Sequence, residues 1–238
     1  MATNTEKQFS TTATRAGADI DEGLRAYMLQ VYNYMASGLL LTGIVAYAAA
    51  SSDAVMGAIY GTPLQWVVML APLGFVIFLS ARIHKMSFST AQTTYWIYAG
   101  VMGLSLAYIF LVYTGASVAR VFFITAGTFG AMSLYGYTTK RDLTKFGSFL
   151  FMGLIGIIIA SVVNIFLQST MMHFVISVIG VLVFVGLTAY DTQNIKEVYY
   201  EHDSSEVAGK KAIMGALRLY LDFINLFILL LQLFGDRR

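Results

Sequence analysis

The sequence predicts an all-α membrane protein, a bundle of seven transmembrane helices. Of its 238 residues, 58% are hydrophobic and only 12% are charged, a balance unlike that of soluble domains. The apolar residues form seven runs of about 18 to 23 residues, which is the length that a helix needs to cross a bilayer. A membrane β-barrel would instead show alternating segments of about ten residues. The chain has no cysteine, so thiolate metal sites and cysteine nucleophiles are excluded.

Short polar breaks separate the seven runs. The predicted spans are, in chain order, Tyr32–Ala50, Leu64–Ala81, Tyr95–Tyr113, Val118–Tyr137, Gly147–Leu167, Met172–Tyr190 and Ile213–Phe234. Because no long linker interrupts them, residues 31–238 are predicted to form one transmembrane domain, preceded by a polar cytoplasmic tail of residues 1–30.

The first four spans carry signals of packing. The first follows polar residues directly, with no cleavable signal peptide before it. The second contains Pro72, which can locally break a helix. Small residues one turn apart, Ala99 with Gly103 in the third span and Ala126 with Gly130 in the fourth, predict close helix contacts.

The last three spans carry polar side chains. Asn164 in the fifth span is predicted to be an interhelical hydrogen-bond partner. Asp191 directly follows the sixth apolar run, and Asp222 lies nine residues into the seventh, about 13 Å along the helix axis. A short side chain at that depth cannot reach bulk water, so Asp222 must face a partner or a wet cavity.

Basic residues set the predicted orientation. Eleven of the 15 Lys and Arg residues lie in the N-terminal tail and in alternate loops, namely Lys7, Arg15, Arg25, Arg82, Lys85, Lys140, Arg141, Lys145, Lys196, Lys210 and Lys211. The positive-inside rule therefore places the N-terminus in the cytoplasm and, with seven spans, the C-terminus outside.

The polar residues of the last two spans predict an ion site. Arg218, Asp222 and Asn225 form one stripe along the seventh helix, and Asp191 and Asn194 form a similar pair. Two carboxylates in a low-dielectric site cannot both ionise cheaply, so the pair would share a proton and sense pH. An oxygen site of this kind suits calcium, bound weakly and transiently because calcium requires six to eight oxygens.

Arg82, at the inner end of the second span, is a candidate partner that closes this site when it pairs with an aspartate. Simpler interpretations stay open for each residue. Asp191 could lie at a helix end where the loop hydrates it, and Arg218 could neutralise Asp222 along one helix. Arg82 could be a membrane-interface anchor whose guanidinium reaches the headgroups.

Several motifs resemble the transmembrane Bax inhibitor motif family, also called the Bax inhibitor-1 family. They are the run from Tyr220 to Gly235, the segment from Ala189 to Ile195, the segment from Gly130 to Tyr135 with Lys140-Arg141-Asp142, and the opening from Leu24 to Gly38. The resemblance covers Leu24 to Gly235, and its C-terminal motif is long and specific.

The resemblance implies a seven-helix bundle whose C-terminal helix is central and surrounded by the other six. It also implies a pH-dependent calcium leak, with Asp191 and Asp222 as the pH sensor and Arg82 as the latch on that pair. The chain ends at Asp236-Arg237-Arg238, without the long charged tail of animal members, so a role in cell death through that tail is not expected. The compact loops resemble the bacterial branch, which implies the cytoplasmic (inner) membrane of a bacterium.

Three functional classes follow. The first is a calcium-leak channel or transporter, with the lipid bilayer, calcium and protons as partners and no tightly bound cofactor. The second is an interaction protein that modulates a membrane protease or a stress response. The third, an intramembrane aspartyl protease, is disfavoured because Tyr220-Leu221 precedes Asp222 where such proteases carry a Gly-x-Gly motif. We therefore predict no enzymatic activity, and the net charge of +2 is too small to indicate nucleic acid binding.

Overall fold

The structure, a computed structural model, describes the backbone of residues 4–238 and the side chains of residues 22–238. Over this range the chain forms nine α-helices and no β-strand. They are α1 (Asn4–Ala50), α2 (Asp53–Tyr60), α3 (Leu64–Arg82), α4 (Phe88–Leu106), α5 (Ile109–Val112), α6 (Gly115–Thr138), α7 (Thr144–Leu167), α8 (Thr170–Glu197) and α9 (Ser205–Phe234). A 3₁₀ turn, Ile83–Lys85, follows α3.

The prediction of seven membrane spans is confirmed. Seven segments of the described chain are long and apolar enough to cross a bilayer, and they contain the predicted runs except for Tyr113, which lies one residue beyond the third segment. Short α2 was not predicted, and α5 completes the third span. The predicted tail, residues 1–30, lies largely outside the described side chains, as do Lys7 and Arg15.

Helix α4 begins seven residues before the predicted third span, at Phe88 instead of Tyr95. The polar residues at the start of α4 made this segment look like a loop in the sequence, but their side chains form hydrogen bonds within the helix. Ser87 caps the helix by accepting a hydrogen bond from the Thr90 backbone N–H, and the Thr94 hydroxyl donates to the Thr90 carbonyl.

The last helix, α9, packs against α1, α4, α6 and α8, with its largest interface on α8. Of the 18 consecutive residues that form the most apolar stretch of α9, 72% are buried. The buried share of the corresponding stretch is only 11% in α3 and 11% in α7. Helix α7 packs mainly on α8, and α3 mainly on α4. Both α3 and α7 therefore leave most of their surface to the lipid.

Two glycines bring helix backbones into contact. A Cβ added at Gly103 would lie 2.7 Å from the Thr42 carbonyl oxygen on α1, which confirms the packing prediction for the third span. In α6 the close contact is made at Gly136, where an added Cβ would overlap the carbonyl of Ala189 on α8. The prediction for Gly130 was wrong, because no atom lies within 4 Å of a Cβ at that position.

The two ends of the bundle differ in how they are closed. We call the end that carries the α3–α4, α6–α7 and α8–α9 loops the inner end, following the predicted orientation, and the opposite end the outer end. At the outer end the segment after α9 is fixed against α6. Ser117 Oγ accepts a hydrogen bond from the Asp236 backbone N–H at 2.8 Å, and Arg120 forms an exposed ion pair with Asp236 at 2.9 Å.

Candidate functional site

The two predicted aspartates meet between α8 and α9, towards the inner end of the bundle. The carboxyl groups of Asp191 and Asp222 lie within hydrogen-bonding reach of each other. Asp222 is 4% exposed, and its Oδ2 atom is buried without a hydrogen-bond partner among the described residues. Two ionised carboxylates are acceptors only, so a proton held between them would supply the missing donor.

The cation that the structure brings to this pair is Arg218 of α9. Its Nη1 atom donates a 2.9 Å hydrogen bond to Asn194 Oδ1 and lies 3.8 Å from Asp191 Oδ1. The side chain is about half exposed (51%), so its attraction for Asp191 is weak. The alternative that Arg218 forms an ion pair with Asp222 along α9 does not match these contacts, because both of them cross to α8.

Arg82 lies apart from the pair. It is the exposed last residue of α3, and within residues 22–238 its side chain forms no hydrogen bond or ion pair. Since α3 packs mainly on α4, a contact between Arg82 and either aspartate would require a different arrangement of helices. Its role as a latch therefore stays a prediction.

Asp191 does not lie at a helix end. Helix α8 continues beyond it to Glu197, and its side chain is only 17% exposed. The alternative of a loop-hydrated Asp191 is therefore wrong.

On α9, Asn225 Nδ2 donates to the Leu221 carbonyl at 2.8 Å, which leaves the amide oxygen of Asn225 as an available acceptor.

Thr192, which sequence reasoning missed, links the site to two further helices. Its hydroxyl lies 3.0 Å from that of Ser133 on α6, and the Ser133 hydroxyl lies 2.6 Å from that of Tyr32 on α1. This chain of hydroxyl groups joins α8 to α6 and α1 beside the carboxyl pair. The only feature of the sequence that points to Thr192 is the polar run Asp-Thr-Gln-Asn at the end of an apolar segment.

Gln193, also missed, fixes the α6–α7 loop to α8. Its Oε1 atom accepts from the Leu143 backbone N–H, and its Nε2 atom donates to the Arg141 carbonyl, both at 2.8 Å. In the same loop, hydrogen bonds from the side chain and backbone of Thr144 hold the pKa of Asp142 below its usual value. The inner end of α7 is thus positioned by a residue adjacent to the site.

Gln193→Ala is expected to release this loop and to lower the free energy of unfolding by about 1 to 2 kcal/mol, because two hydrogen bonds are lost. Hydrogen exchange of the Leu143 amide measures the release directly. Gln193→Glu is the control, since it keeps the acceptor for Leu143 and should keep that amide protected. Equal protection in wild type and in Gln193→Ala would contradict the prediction.

A cleft of about 1490 Å³ between α7, α8 and α9 contains the carboxyl pair at its inner end. Of the predicted site residues, Asp191, Asn194, Arg218, Asp222 and Asn225 line it and Arg82 does not. Among the described residues no three His, Asp or Glu side chains group to hold a metal ion. A calcium ion here would find two carboxylates and the Asn225 amide oxygen, a donor set that fits weak binding.

The sequence motifs and this fold agree with a known family. The family model described as "Inhibitor of apoptosis-promoting Bax1" matches residues 24–238. The chain belongs to the Bax inhibitor family. It is 52% identical to protein RP147 of Rickettsia prowazekii, over 95% of this chain and 96% of that protein. It is also 52% identical to the inner membrane protein YbhL of Escherichia coli K12, over 91% of this chain and 94% of YbhL.

Proposed function

We propose that this Bax inhibitor family member is a pH-sensitive calcium-leak protein of a bacterial inner membrane, in which Asp191 and Asp222 hold either a proton or a calcium ion. The observation that carries the proposal is the buried Asp222 Oδ2 atom, which has no partner among the described residues, in a carboxyl group that lies beside that of Asp191. A buried polar atom in this state is costly unless a proton or a cation satisfies it.

The competition between proton and calcium follows from charge. When one proton is shared, the pair carries a single negative charge, and the nearby Arg218 guanidinium partly offsets it. When the proton leaves, two negative charges face each other, and a divalent cation can neutralise both. Because few oxygens surround the pair, calcium would bind weakly and dissociate readily, which suits passage and not storage.

The proposed location and orientation rest on separate observations. The relative YbhL is named an inner membrane protein, and the basic residues concentrate in alternate loops. On this basis the N-terminus is cytoplasmic, the C-terminus is outside and the carboxyl pair lies in the cytoplasmic half of the membrane. In this proposal Arg82 acts as a latch that reaches the pair in another conformation.

Reconstitution in liposomes that contain a calcium dye tests the proposal over about pH 5 to 8, a range that brackets the titration of a buried carboxyl pair. We expect a flux that changes with pH in wild type and loses this dependence in Asp191→Asn and Asp222→Asn. Arg82→Ala tests the latch and should raise the flux at the pH where wild type is least active. Asp53→Asn, an exposed carboxyl group on α2, is the matched control and should behave as wild type.

Two results would overturn the proposal. One is a flux no greater than that of empty liposomes, and the other is a flux indifferent to both aspartate substitutions. Either would favour the second functional class, a protein that modulates a membrane protease or a stress response.

A further inference from the structure

The cleft between α7 and α9 extends far beyond the carboxyl pair and reaches both ends of the bundle. Its lining runs from Asn194 and Arg218 at the inner end to Gln168 and Arg237 at the outer end. The 14 positions from Arg218 to Gln232 correspond to about 21 Å of helix, more than the roughly 15 Å that one leaflet contributes to the hydrocarbon core. The cleft is thus much longer than a site for one ion requires.

The middle of the cleft is apolar and open to the membrane. Phe151, Ile158 and Val162 on α7 line it and are each more than half exposed. On the opposite wall Ile228 and Leu229 of α9 are also apolar. Because α7 packs mainly on α8, no helix of the described chain fills the space between α7 and α9, and acyl chains are what can cover these side chains in a bilayer.

The inner end of the cleft is suited to an anionic group. The Arg218 guanidinium has five N–H donors, yet within the described residues it makes one hydrogen bond, to Asn194, and one long contact, to Asp191. Placing the outer membrane boundary at Phe234 puts the inner boundary about 20 residues earlier. Arg218 then lies about one turn inside that boundary, from where its side chain reaches the headgroups.

The surrounding charges favour the same ligand. The α6–α7 loop exposes Lys140 and Arg141, and the first turn of α7, the helix that forms one wall of the cleft, exposes Lys145. Across the inner end, two acidic side chains of the α8–α9 region are paired internally, Asp203 with Lys211 and Glu206 with Lys210. Basic side chains next to the inner leaflet attract anionic lipids.

The geometry points to a binding site for an anionic phospholipid of the inner leaflet, whose phosphate is held by Arg218 and whose acyl chain lies in the cleft between α7 and α9. A guanidinium binds phosphate through two parallel hydrogen bonds, which a zwitterionic lipid satisfies less well because its own cation competes. This inference concerns lipid binding alone and does not depend on the proposed calcium leak.

Site-specific fluorescence quenching tests the inference, and the absence of cysteine makes a single introduced thiol unique. Phe151, on the cleft wall in the inner half of α7, and Met152, an exposed residue of α7 that is not part of the cleft lining, are each replaced by cysteine and labelled with bimane. The labelled proteins are placed in phosphatidylcholine nanodiscs in which a minority of the lipid is phosphatidylglycerol with brominated chains. A parallel set carries the bromine on the same fraction of phosphatidylcholine.

Brominated phosphatidylglycerol should quench the label at Phe151→Cys about fivefold more effectively than brominated phosphatidylcholine does, the enrichment expected for one basic side chain near the membrane surface. At Met152→Cys the two lipids should quench alike. Adding Arg218→Gln should remove the preference at position 151. Arg237→Gln, an equal change of charge at the outer end of the cleft, should preserve it.

Three outcomes would overturn the inference. Equal quenching by both lipids at position 151 would mean ordinary bilayer lipid without headgroup selection. Quenching at position 152 but none at position 151 would mean that protein, from a partner or a second copy, covers the cleft. A preference lost with Arg237→Gln but kept with Arg218→Gln would place the headgroup in the outer leaflet. Circular dichroism of each variant, unchanged from wild type, ensures that a lost preference reports on binding.

Discussion

Gly136→Ala is expected to lower the free energy of unfolding by about 3 kcal/mol, at the upper end of the range for overpacking a close contact. The added methyl group would overlap the carbonyl of Ala189. A backbone carbonyl inside a helix cannot rotate away as a side chain can, so α6 and α8 would have to separate. Unfolding of the purified protein in mixed micelles with increasing denaturing detergent measures the change.

The control lies on the same helix. Gly130→Ala adds the same methyl group where no atom lies within 4 Å, and it should be neutral or slightly stabilising because alanine favours the helix. Separation of α6 from α8 would also lengthen the contact between Ser133 and Thr192, which lies one turn along the same two helix faces. Equal stability of the two variants would show that the backbones are not in contact at Gly136.

Tyr98→Phe is expected to stabilise the protein, by about 1 to 2 kcal/mol. Tyr98 is 1% exposed, and its hydroxyl has no hydrogen-bond partner among the described residues. A buried polar group without a partner costs about 1 to 3 kcal/mol, and phenylalanine removes it. The ring contacts would be kept, since the ring of Tyr98 lies 5.2 Å from that of Tyr220, centroid to centroid. The same detergent titration measures the gain.

The neighbouring tyrosine provides a control of opposite sign. Tyr95 is equally buried, but its hydroxyl donates a 2.9 Å hydrogen bond to the Tyr34 carbonyl on α1. Tyr95→Phe should therefore destabilise the protein by about 1 kcal/mol, because the Tyr34 carbonyl loses its donor. If both substitutions destabilise the protein to the same extent, the hydroxyl of Tyr98 has a partner in the membrane.

The spans could be predicted from sequence because continuous apolar length is a signal that each segment carries by itself. Their ends could not be predicted as well, since the caps of α4 and the polar last turns of α8 depend on local hydrogen bonds. Short α2 has too few residues for its pattern to be distinguished from a loop. The packing of α9 on four other spans depends on long-range contacts that periodicity does not encode.

For the site, sequence reasoning identified the two aspartates as a pair but did not identify the contacts of Arg218. An aspartate deep in an apolar span needs compensation wherever it points, so Asp191 and Asp222 stand out in one sequence. The partner of Arg218 depends on how α8 and α9 are rotated towards each other, and helical spacing alone favoured Asp222. The same limit explains Gly130 and Gly136, which are equally small but lie on different faces of α6.

The four consecutive residues Asp191, Thr192, Gln193 and Asn194 contact three different parts of the molecule. Their side chains lead respectively to Asp222 of α9, the hydroxyl groups of α6 and α1, the α6–α7 loop, and Arg218 of α9. Rotation of α8 about its own axis would break contacts on several sides at once. A movement that opens the site is therefore expected to tilt or translate α8 without rotating it about its axis. If so, a change in backbone hydrogen exchange near the carboxyl pair should be accompanied by a change in the α6–α7 loop.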